Sequence, residues 1–344
     1  MITRRRLLGA TAGLALAAGL TACGDDTTGN EDAVSSDGTV DLSKVTLIVA
    51  DQRGTSAQAV LKAAGLDDTP YTIEWKQFTS GPPILEALDA GAVHVGQVGN
   101  TPPIFAAAAK SKFKIVSATS YTGQGDAILV PKDSSLTSVS QLAGKKVAVA
   151  EGSSANYNLL GLLDEGGVSY SDVQIQNLQP ADALAAFSAG HLDAWTTWEP
   201  YTSQAVLEDG ARVLADGRKV MNGLSFNVAS DAALADKATA AALGDFLTRI
   251  QKAALWTGSH AEEWAKIWAT QLDIAPTITE AAVQKRPVSV VPIDQSVIDS
   301  EQEMADAFTA AGLLPGKVDV APYFDDRFNK QASGSAVEAA AAAS

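Results

Sequence analysis

Four short loops rich in small, hydroxyl-bearing and glycine residues follow predicted strands, and three of them open predicted helices. A helix start offers unpaired N–H donors and the positive end of the helix dipole, and small residues let an anion approach those donors closely. Ordinary helix capping would account for any one loop, but three at equivalent places favour an anion site. The loops are Gln52-Arg53-Gly54, Thr79-Ser80-Gly81, Gly99-Asn100-Thr101 and Glu151-Gly152-Ser153-Ser154.

Aromatic residues concentrate in the segment 193–201, although aromatics make up only 6% of the chain. Trp198 is expected to form a wall for the carbon part of a solute, with core packing as the alternative, and Trp195 fits either role. Arg53 and Arg286 could add charge, although simple surface exposure accounts for Arg53 as well.

The sequence offers no set of residues for catalysis. It contains no nucleophile elbow, P-loop or dinucleotide fingerprint, and no Ser-His-acid set falls on the predicted cleft loops. Three scattered histidines and one cysteine do not make a metal site. We therefore expect a binding protein rather than an enzyme, with no cofactor and no metal.

Strands and helices alternate along the chain, which predicts an α/β fold of mainly parallel sheets joined by right-handed crossovers. Strands are expected at 44–50, 71–78, 92–98, 145–150, 173–178 and 192–196. Helices are expected at 56–65, 81–88, 104–109, 153–163 and 181–189.

The two halves of the chain resemble each other. Residues 85–91 and 184–190 align at an offset of 99, and each segment is a helix that ends at Ala-Gly before a short strand. This similarity predicts two lobes with a cleft between them. Lobe 1 comprises residues 44–126 and 229–330, and lobe 2 comprises residues 127–228. The crossings between lobes are placed at 123–131 and 223–228.

Four aromatic residues follow at a spacing of four in the C-terminal part: Trp256, His260, Trp264 and Trp268. This spacing predicts one stripe along a single helix, because residues four apart lie on the same helix face. The stripe is expected to pack onto lobe 1 rather than to bind a ligand.

The first 22 residues are typical of an export signal. Three arginines, Arg4 to Arg6, precede a short apolar run. Residues 20–23, Leu-Thr-Ala-Cys, resemble a lipobox, which implies a lipid on Cys23 and attachment to the membrane. Residues 3–8 are similar to a twin-arginine motif, so the export route stays open. Residues 24–43 are expected to form a flexible tether and residues 331–344 a disordered tail.

Composition restricts the classes of partner. The 344 residues are 46% apolar and 19% charged, as in globular proteins, with a net charge of −15. Residues 1–22 carry three arginines and no acid, so their removal leaves −18. Such an acidic protein is not expected to bind nucleic acid, because phosphate binding needs a basic face.

The motifs together resemble the aliphatic sulfonate-binding proteins, relatives of taurine- and nitrate-binding receptors of ABC importers. The resemblance covers residues 44–328. It implies a two-lobed periplasmic-binding-protein (type II) fold and a monomer that closes on an organosulfonate and docks on an ABC permease with its ATPase. The motifs that carry it are Gly99-Asn100-Thr101-Pro102-Pro103-Ile104-Phe105-Ala106, Gly152-Ser153-Ser154, Pro180-Ala181-Asp182-Ala183, Asp193-Ala194-Trp195-Thr196-Thr197-Trp198-Glu199-Pro200-Tyr201 and Arg286-Pro287.

The resemblance also implies which residues hold the sulfonate. The residues carried over by motif are Gln52, Ser80, Gly81, Asn100, Thr101, Ser153, Ser154 and Trp198. One departure is Asn100, where relatives often have Asp, and this departure leaves open a ligand of different charge. The other hypotheses are another small anion such as taurine or nitrate, a different small organic solute, an enzyme on the same scaffold, and a sensory or adhesive surface lipoprotein.

Overall fold

Two β-sheets flanked by helices form two lobes in the computed structural model, which describes residues 30–330. The strands are β1 (Thr46–Gln52), β2 (Thr72–Phe78), β3 (Val95–Gly99), β4 (Phe113–Ser120), β5 (Ala127–Val130), β6 (Lys146–Val149), β7 (Gln174–Asn177), β8 (Ala194–Thr197), β9 (Arg212–Asp216), β10 (Leu224–Ser230) and β11 (Ser289–Val291). The helices are α1 (Ala57–Ala63), α2 (Gly81–Asp89), α3 (Thr101–Ala108), α4 (Ser154–Glu165), α5 (Pro180–Ser188), α6 (Tyr201–Glu208), α7 (Asp231–Ala235), α8 (Lys237–Ser259), α9 (Ala261–Leu272), α10 (Pro276–Lys285) and α11 (Gln295–Ala310).

Each sheet combines parallel and antiparallel strands. The first has the order β11-β4-β10-β3-β1-β2 and the second the order β7-β6-β8-β5-β9. Strands β1, β2 and β3 pair in parallel, as do β6, β7 and β8. Strands β10 and β5 pair antiparallel with both neighbours. The predicted α/β lobes are present, but the sheets are mixed rather than mainly parallel, because β5 and β10 each enter from the other lobe instead of through a helical crossover.

The strands and helices predicted before residue 200 all have counterparts, with ends that differ by about three residues or fewer. Helix α1 ends where Gly65 adopts a φ of +66°, in the left-handed region that favours glycine after a helix. Short apolar runs and helix-opening residues therefore predicted these elements, but not β4 and β5, which also lie before residue 200.

The predicted crossings were displaced, and this corrects the lobe boundaries. The chain leaves the first sheet after Ser120 and enters the second at Ala127. It returns between Asp216 and Leu224, and the whole of β10 belongs to the first sheet. Residues 224–228 thus lie in lobe 1, although they were assigned to lobe 2. The sequence analysis placed a crossing and no strand here, because the pairing of β10 with β3 and β4 depends on contacts between distant parts of the chain.

The tether prediction was wrong for residues 30–43, which pack on lobe 1. Ala33 is buried in the core of that lobe, and Val34 and Val40 form an antiparallel bridge. The side chain of Asn30 accepts a hydrogen bond from the Thr46 N–H and donates to Thr239 Oγ1 at 2.7 Å. Polar composition suggested a flexible segment, but these side chains are used in turns and in contacts with the lobe. The predicted export signal, the Cys23 lipidation site and the 331–344 tail lie outside the described residues.

Helix α11 contacts both lobes. Met304 and Phe308 share an apolar cluster with Ile104 from α3 and Leu160 from α4. The aromatic rings of Phe105 and Phe308 meet edge-on, with their centroids 5.1 Å apart. Residues 295–310 therefore connect the lobes in addition to the two crossings.

Among residues 30–330, no helix combines the length and the apolar character that crossing a bilayer requires.

Candidate functional site

Three helices begin without a side-chain cap at the cleft between the lobes: α2, α3 and α4. By contrast, the carboxylate of Asp51 accepts hydrogen bonds from the N–H groups of Ala57 and Gln58 and so occupies the start of α1. The loop 52–54 therefore does not offer an anion the free helix start that the sequence suggested. The starts of α2, α3 and α4 have no such side-chain cap, so their N–H groups can still bind an anion.

Prolines limit how many donors α2 and α3 present. Residues 82, 83, 102 and 103 are prolines without an N–H, so the first turns keep only the N–H groups of residues 80, 81, 100 and 101. In α4 the Ser153 N–H donates to the Ala150 carbonyl and the Asn156 N–H to the Ser153 carbonyl. The N–H groups of Ser154 and Ala155 therefore complete the set of first-turn donors.

A cavity of about 140 Å³ lies where these helix starts meet. Its size is close to that of an engineered cavity that accepts benzene, about 150 Å³. Five of the residues expected from the sequence line it: Gln52, Gly81, Ser153, Ser154 and Trp198.

Two glycines show how closely the helix starts approach each other. A Cβ on Gly81 would lie 2.5 Å from Pro102 Cγ, and a Cβ on Gly99 would lie 3.1 Å from Ser154 Cβ. The first contact joins α2 to α3 within lobe 1, and the second joins lobe 1 to lobe 2. The described conformation is therefore a closed one.

The side chains of Ser80, Asn100 and Thr101 do not line the cavity, although the sequence placed all three in the site. Ser80 Oγ donates to Gln179 Oε1 at 2.8 Å across the cleft. Asn100 Nδ2 donates to Asn222 Oδ1 at 2.8 Å, and Thr101 Oγ1 donates to Asn100 Oδ1 at 3.0 Å. Their side chains thus hold the helix starts in place. Relatives often have Asp at position 100, but the Asn100 side chain does not line the cavity, so this difference does not alter the lining.

The serine hydroxyls at the start of α4 are already engaged. Ser153 Oγ donates to the Ala150 carbonyl, and Ser154 Oγ donates to Asp126 Oδ1 at 3.0 Å. Since each hydroxyl has one proton, an anion at this point must be held mainly by backbone N–H groups.

Asp126 lies behind Ser154 and is buried. Burial raises the pKa of its carboxyl to about 6, while the Arg286 guanidinium and the Ser154 hydroxyl act in the opposite direction. The protonation of Asp126 therefore changes near neutral pH, next to the candidate anion site.

Among the described residues that line the cavity, Arg286 is the one that carries a formal charge. Its guanidinium carbon lies 4.5 Å from the centre of the Tyr121 ring, which orients it. Within residues 30–330, no Asp or Glu lines the cavity, so this lining is net positive in an acidic protein. Arg53 does not line the cavity, and its guanidinium carbon lies 5.4 Å from the centre of the Tyr201 ring.

The two tryptophans of the 193–201 segment have different places. Trp198 contributes to the core of lobe 2 and also lines the cavity. Trp195 is buried between Phe187 and Tyr201, away from the cavity lining. The open question about Trp195 is thus resolved in favour of core packing.

The apolar wall from α8, α9 and α10 was missed by the sequence analysis. Trp264 and Trp268 pack on lobe 1 as predicted, stacked with centroids 5.7 Å apart, and they also line the cavity. They do not share one helix with Trp256, because α8 ends at Ser259 and α9 begins at Ala261. The unusual density of tryptophan was the signal that could have indicated a ligand wall.

The arrangement can bind a small anion with an apolar part, since donors and a cation face one part of the cavity and apolar side chains another. Within residues 30–330, no three His, Cys, Asp or Glu side chains group in a way that could hold a metal ion. The two lobes and the cleft cavity define a solute-binding protein of the periplasmic-binding-protein fold.

Comparison with known proteins identifies the family. The model of the NMT1-like family matches residues 38–270. A putative aliphatic sulfonates-binding protein of Escherichia coli (strain K12) is 36% identical over 273 residues, which are 78% of this chain and 85% of the relative. One of the same name from Bacillus subtilis (strain 168) is 31% identical and covers 83% and 84% of the two chains. The chain belongs to the NMT1-like family and, within it, to the aliphatic sulfonate-binding proteins, as the sequence motifs predicted.

Solved structures agree with this assignment. The alkanesulfonate-binding protein SsuA of Xanthomonas axonopodis pv. citri, bound to MOPS, is 33% identical with a TM-score of 0.76, over 81% of this chain and 98% of that chain. The periplasmic aliphatic sulphonate binding protein SsuA of Escherichia coli is 32% identical with a TM-score of 0.71, over 81% and 91%. The expected two-lobed fold is confirmed. The desulfurization enzyme DSZB shares the fold at 16% identity and a TM-score of 0.59.

Proposed function

We propose that the protein captures a small organosulfonate between its lobes and delivers it to an ABC permease and its ATPase. The observation that carries this proposal is the cavity where three uncapped helix starts and Arg286 face apolar walls. A sulfonate has three oxygens that accept hydrogen bonds and a permanent negative charge, which suits backbone donors and one guanidinium. Its carbon part suits Trp198 and the tryptophans of α9.

The head group is proposed to contact backbone N–H groups at the starts of α2, α3 and α4. In this arrangement N–H donors come from Gly81 and Ser154, which line the cavity, and from Thr101, which is next to the lining residue Pro102. The side chains of Ser80, Asn100 and Ser153 hold the helix starts in position. Gln52 lines the cavity, and its Nε2 donates to the Gln97 carbonyl at 2.9 Å, which leaves its amide oxygen for the ligand. An enzymatic role has no support from a catalytic set, and the relatives with more than 30% identity are named as binding proteins.

Calorimetric titration with C2–C8 alkanesulfonates, taurine, nitrate and sulfate tests the proposal. Micromolar binding of a short alkanesulfonate corresponds to about 8 kcal/mol. Arg286→Gln should weaken this binding about 10- to 100-fold, because a hydrogen bond to a charged group contributes about 1.5–3 kcal/mol. Arg327→Gln is the matched control, since Arg327 is exposed, pairs with Asp325 and does not line the cavity. No heat across the whole panel would contradict the proposal.

We also propose that the protein is exported and anchored as a monomer through a lipid on Cys23, on the outer face of the membrane. Metabolic labelling with a fatty-acid analogue should mark the wild-type protein and leave Cys23→Ala unlabelled and released into the soluble fraction. Equal labelling of both would remove the anchor from the proposal and leave solute capture unaffected.

A further inference from the structure

Helices α8, α9 and α10 enclose an apolar part of the cavity, called here the distal chamber. Its apolar lining comes from Val60, Ile250, Ala254, Trp264, Trp268 and Ala282. Five of these residues are also core residues of lobe 1 that are no more than 6% exposed: Val60, Ile250, Trp264, Trp268 and Ala282. The chamber is therefore built into a rigid core and not into a mobile loop.

Gln251 on α8 is the unusual residue in this lining. It is 1% exposed, and both its Oε1 and its Nε2 are buried without a hydrogen-bond partner among the described residues. An unpaired buried amide is costly, and a leucine or methionine would fill the same volume without that cost. Packing alone therefore does not account for a glutamine at this position.

Two polar side chains of the same cavity lining, Trp268 and Thr257, donate their hydrogen bonds elsewhere and form none with this amide. Trp268 Nε1 donates to Ser56 Oγ at 2.9 Å, and Ser56 Oγ donates to the Arg53 carbonyl at 3.0 Å. Thr257 Oγ1 donates to the Ala254 carbonyl at 2.7 Å. The Gln251 amide is thus left with one donor group and one acceptor oxygen at the chamber.

The chemistry of the chamber defines what this amide can bind. An amide can both donate to and accept from a neutral group such as a hydroxyl or a carboxamide. In the part of the chain that the structure describes, no Asp, Glu or Lys lines the cavity, so an ammonium group on the ligand would be buried without a counterion. A second anionic group would likewise find no partner, because Arg286 is needed for the head group.

We propose that Gln251 determines specificity by hydrogen-bonding a neutral polar group at the end of the ligand opposite the anion. This inference rests on the proposed function and adds the ligand class, which is a short sulfonate with a terminal hydroxyl or carboxamide. A cavity of about 140 Å³, close in size to one that accepts benzene, suits a small ligand. The probe 3-hydroxypropane-1-sulfonate is such a ligand.

Three ligands of equal length separate the contributions of the distal group. Butane-1-sulfonate replaces the hydroxyl by a methyl group, and 3-aminopropane-1-sulfonate replaces it by an ammonium group. The wild-type protein should bind the hydroxyl ligand at least tenfold more tightly than either of the others, because only that ligand satisfies the amide without burying a second charge. Calorimetry at pH 7 measures all three affinities.

Gln251→Leu then tests the residue itself. This variant should lose the preference for the hydroxyl ligand and bind butane-1-sulfonate at least as well as the wild type does. Gln58→Leu is the control, because Gln58 is exposed on α1 and does not line the cavity. If Gln251→Leu does not fold, the wild-type ratio between the hydroxyl and methyl ligands carries the test alone.

The outcomes separate the inference from the proposed function. Equal binding of the hydroxyl and methyl ligands by the wild type, or an unchanged ratio in Gln251→Leu, would overturn the role of Gln251 and leave sulfonate capture standing. A crystal structure of the complex in which the amide contacts only water would do the same. Failure of all three sulfonates to bind would instead count against the proposed function.

Discussion

Replacing Lys285 by methionine removes an ion pair that joins the two lobes in the closed conformation. Lys285 Nζ, at the end of α10 in lobe 1, lies 2.9 Å from Glu199 Oε1 and 3.0 Å from Ser203 Oγ in lobe 2. The Glu199 side chain is fully buried, whereas that of Lys285 is 24% exposed. The variant would leave the buried carboxylate with only the hydrogen bonds from Ser203.

The expected cost follows from this environment. Removing one partner of a buried ion pair costs about 3–5 kcal/mol. The partial exposure of Lys285 lets water screen the pair, so about 2 kcal/mol is a reasonable value for the closed state. Opening the lobes hydrates Glu199 and removes the penalty. The loss should therefore appear as an affinity about 30-fold weaker, and not as an unfolded protein.

Calorimetry with a short alkanesulfonate measures the affinity, and small-angle scattering measures how completely the ligand closes the lobes. Lys285→Met should bind weakly and close incompletely. The double variant Glu199→Gln with Lys285→Met should recover most of the affinity, because no charge is left unpaired. Lys317→Met is the control, since residue 317 is exposed and does not line the cleft cavity. An affinity within twofold of wild type for Lys285→Met, or no recovery in the double variant, would refute the reasoning.

Two further predictions concern the same cleft. Burial raises the pKa of Asp126 from 3.8 to about 6, so the folded protein holds this proton more tightly than the unfolded chain does. The folding stability that this group contributes is therefore present below about pH 4 and is lost as the pH rises through about 6. Anion affinity should fall several-fold between pH 5 and 7, because Asp126 becomes negatively charged over this range and lies behind Ser154 at the anion site. The affinity of Asp126→Asn should not change over the same pH range. Equal slopes of affinity against pH in the two proteins would exclude Asp126 as the cause. Gly99→Ala should weaken binding about tenfold by placing a Cβ 3.1 Å from Ser154 Cβ across the cleft, while Gly258→Ala, with open space around it, should not change the affinity in the same titration.

The sequence predicted the fold class and about half of the described strands and helices, because these depend on local patterns. The short apolar runs of β1 and β6 are visible in a single chain, as are the prolines and small residues that open α2 and α3. The family was also predictable, since its motifs are contiguous and keep their order. The mixed sheets were not, because nothing in β10 itself indicates which sheet it joins.

For the site, the sequence determined where helix starts and small residues occur, but not which atoms face the cavity. Only the tertiary structure decided that the serine hydroxyls and the Asn100 side chain have protein partners, that Asp51 fills the start of α1, and that Arg286, Trp264 and Gln251 reach the cavity from the last third of the chain. The physical reason is that caps and strand patterns arise between near neighbours. The direction of a side chain, and the hydrogen bonds it can still make, depend instead on residues far away in the sequence. Ser56 and Trp268, for example, are about 200 positions apart and share a hydrogen bond.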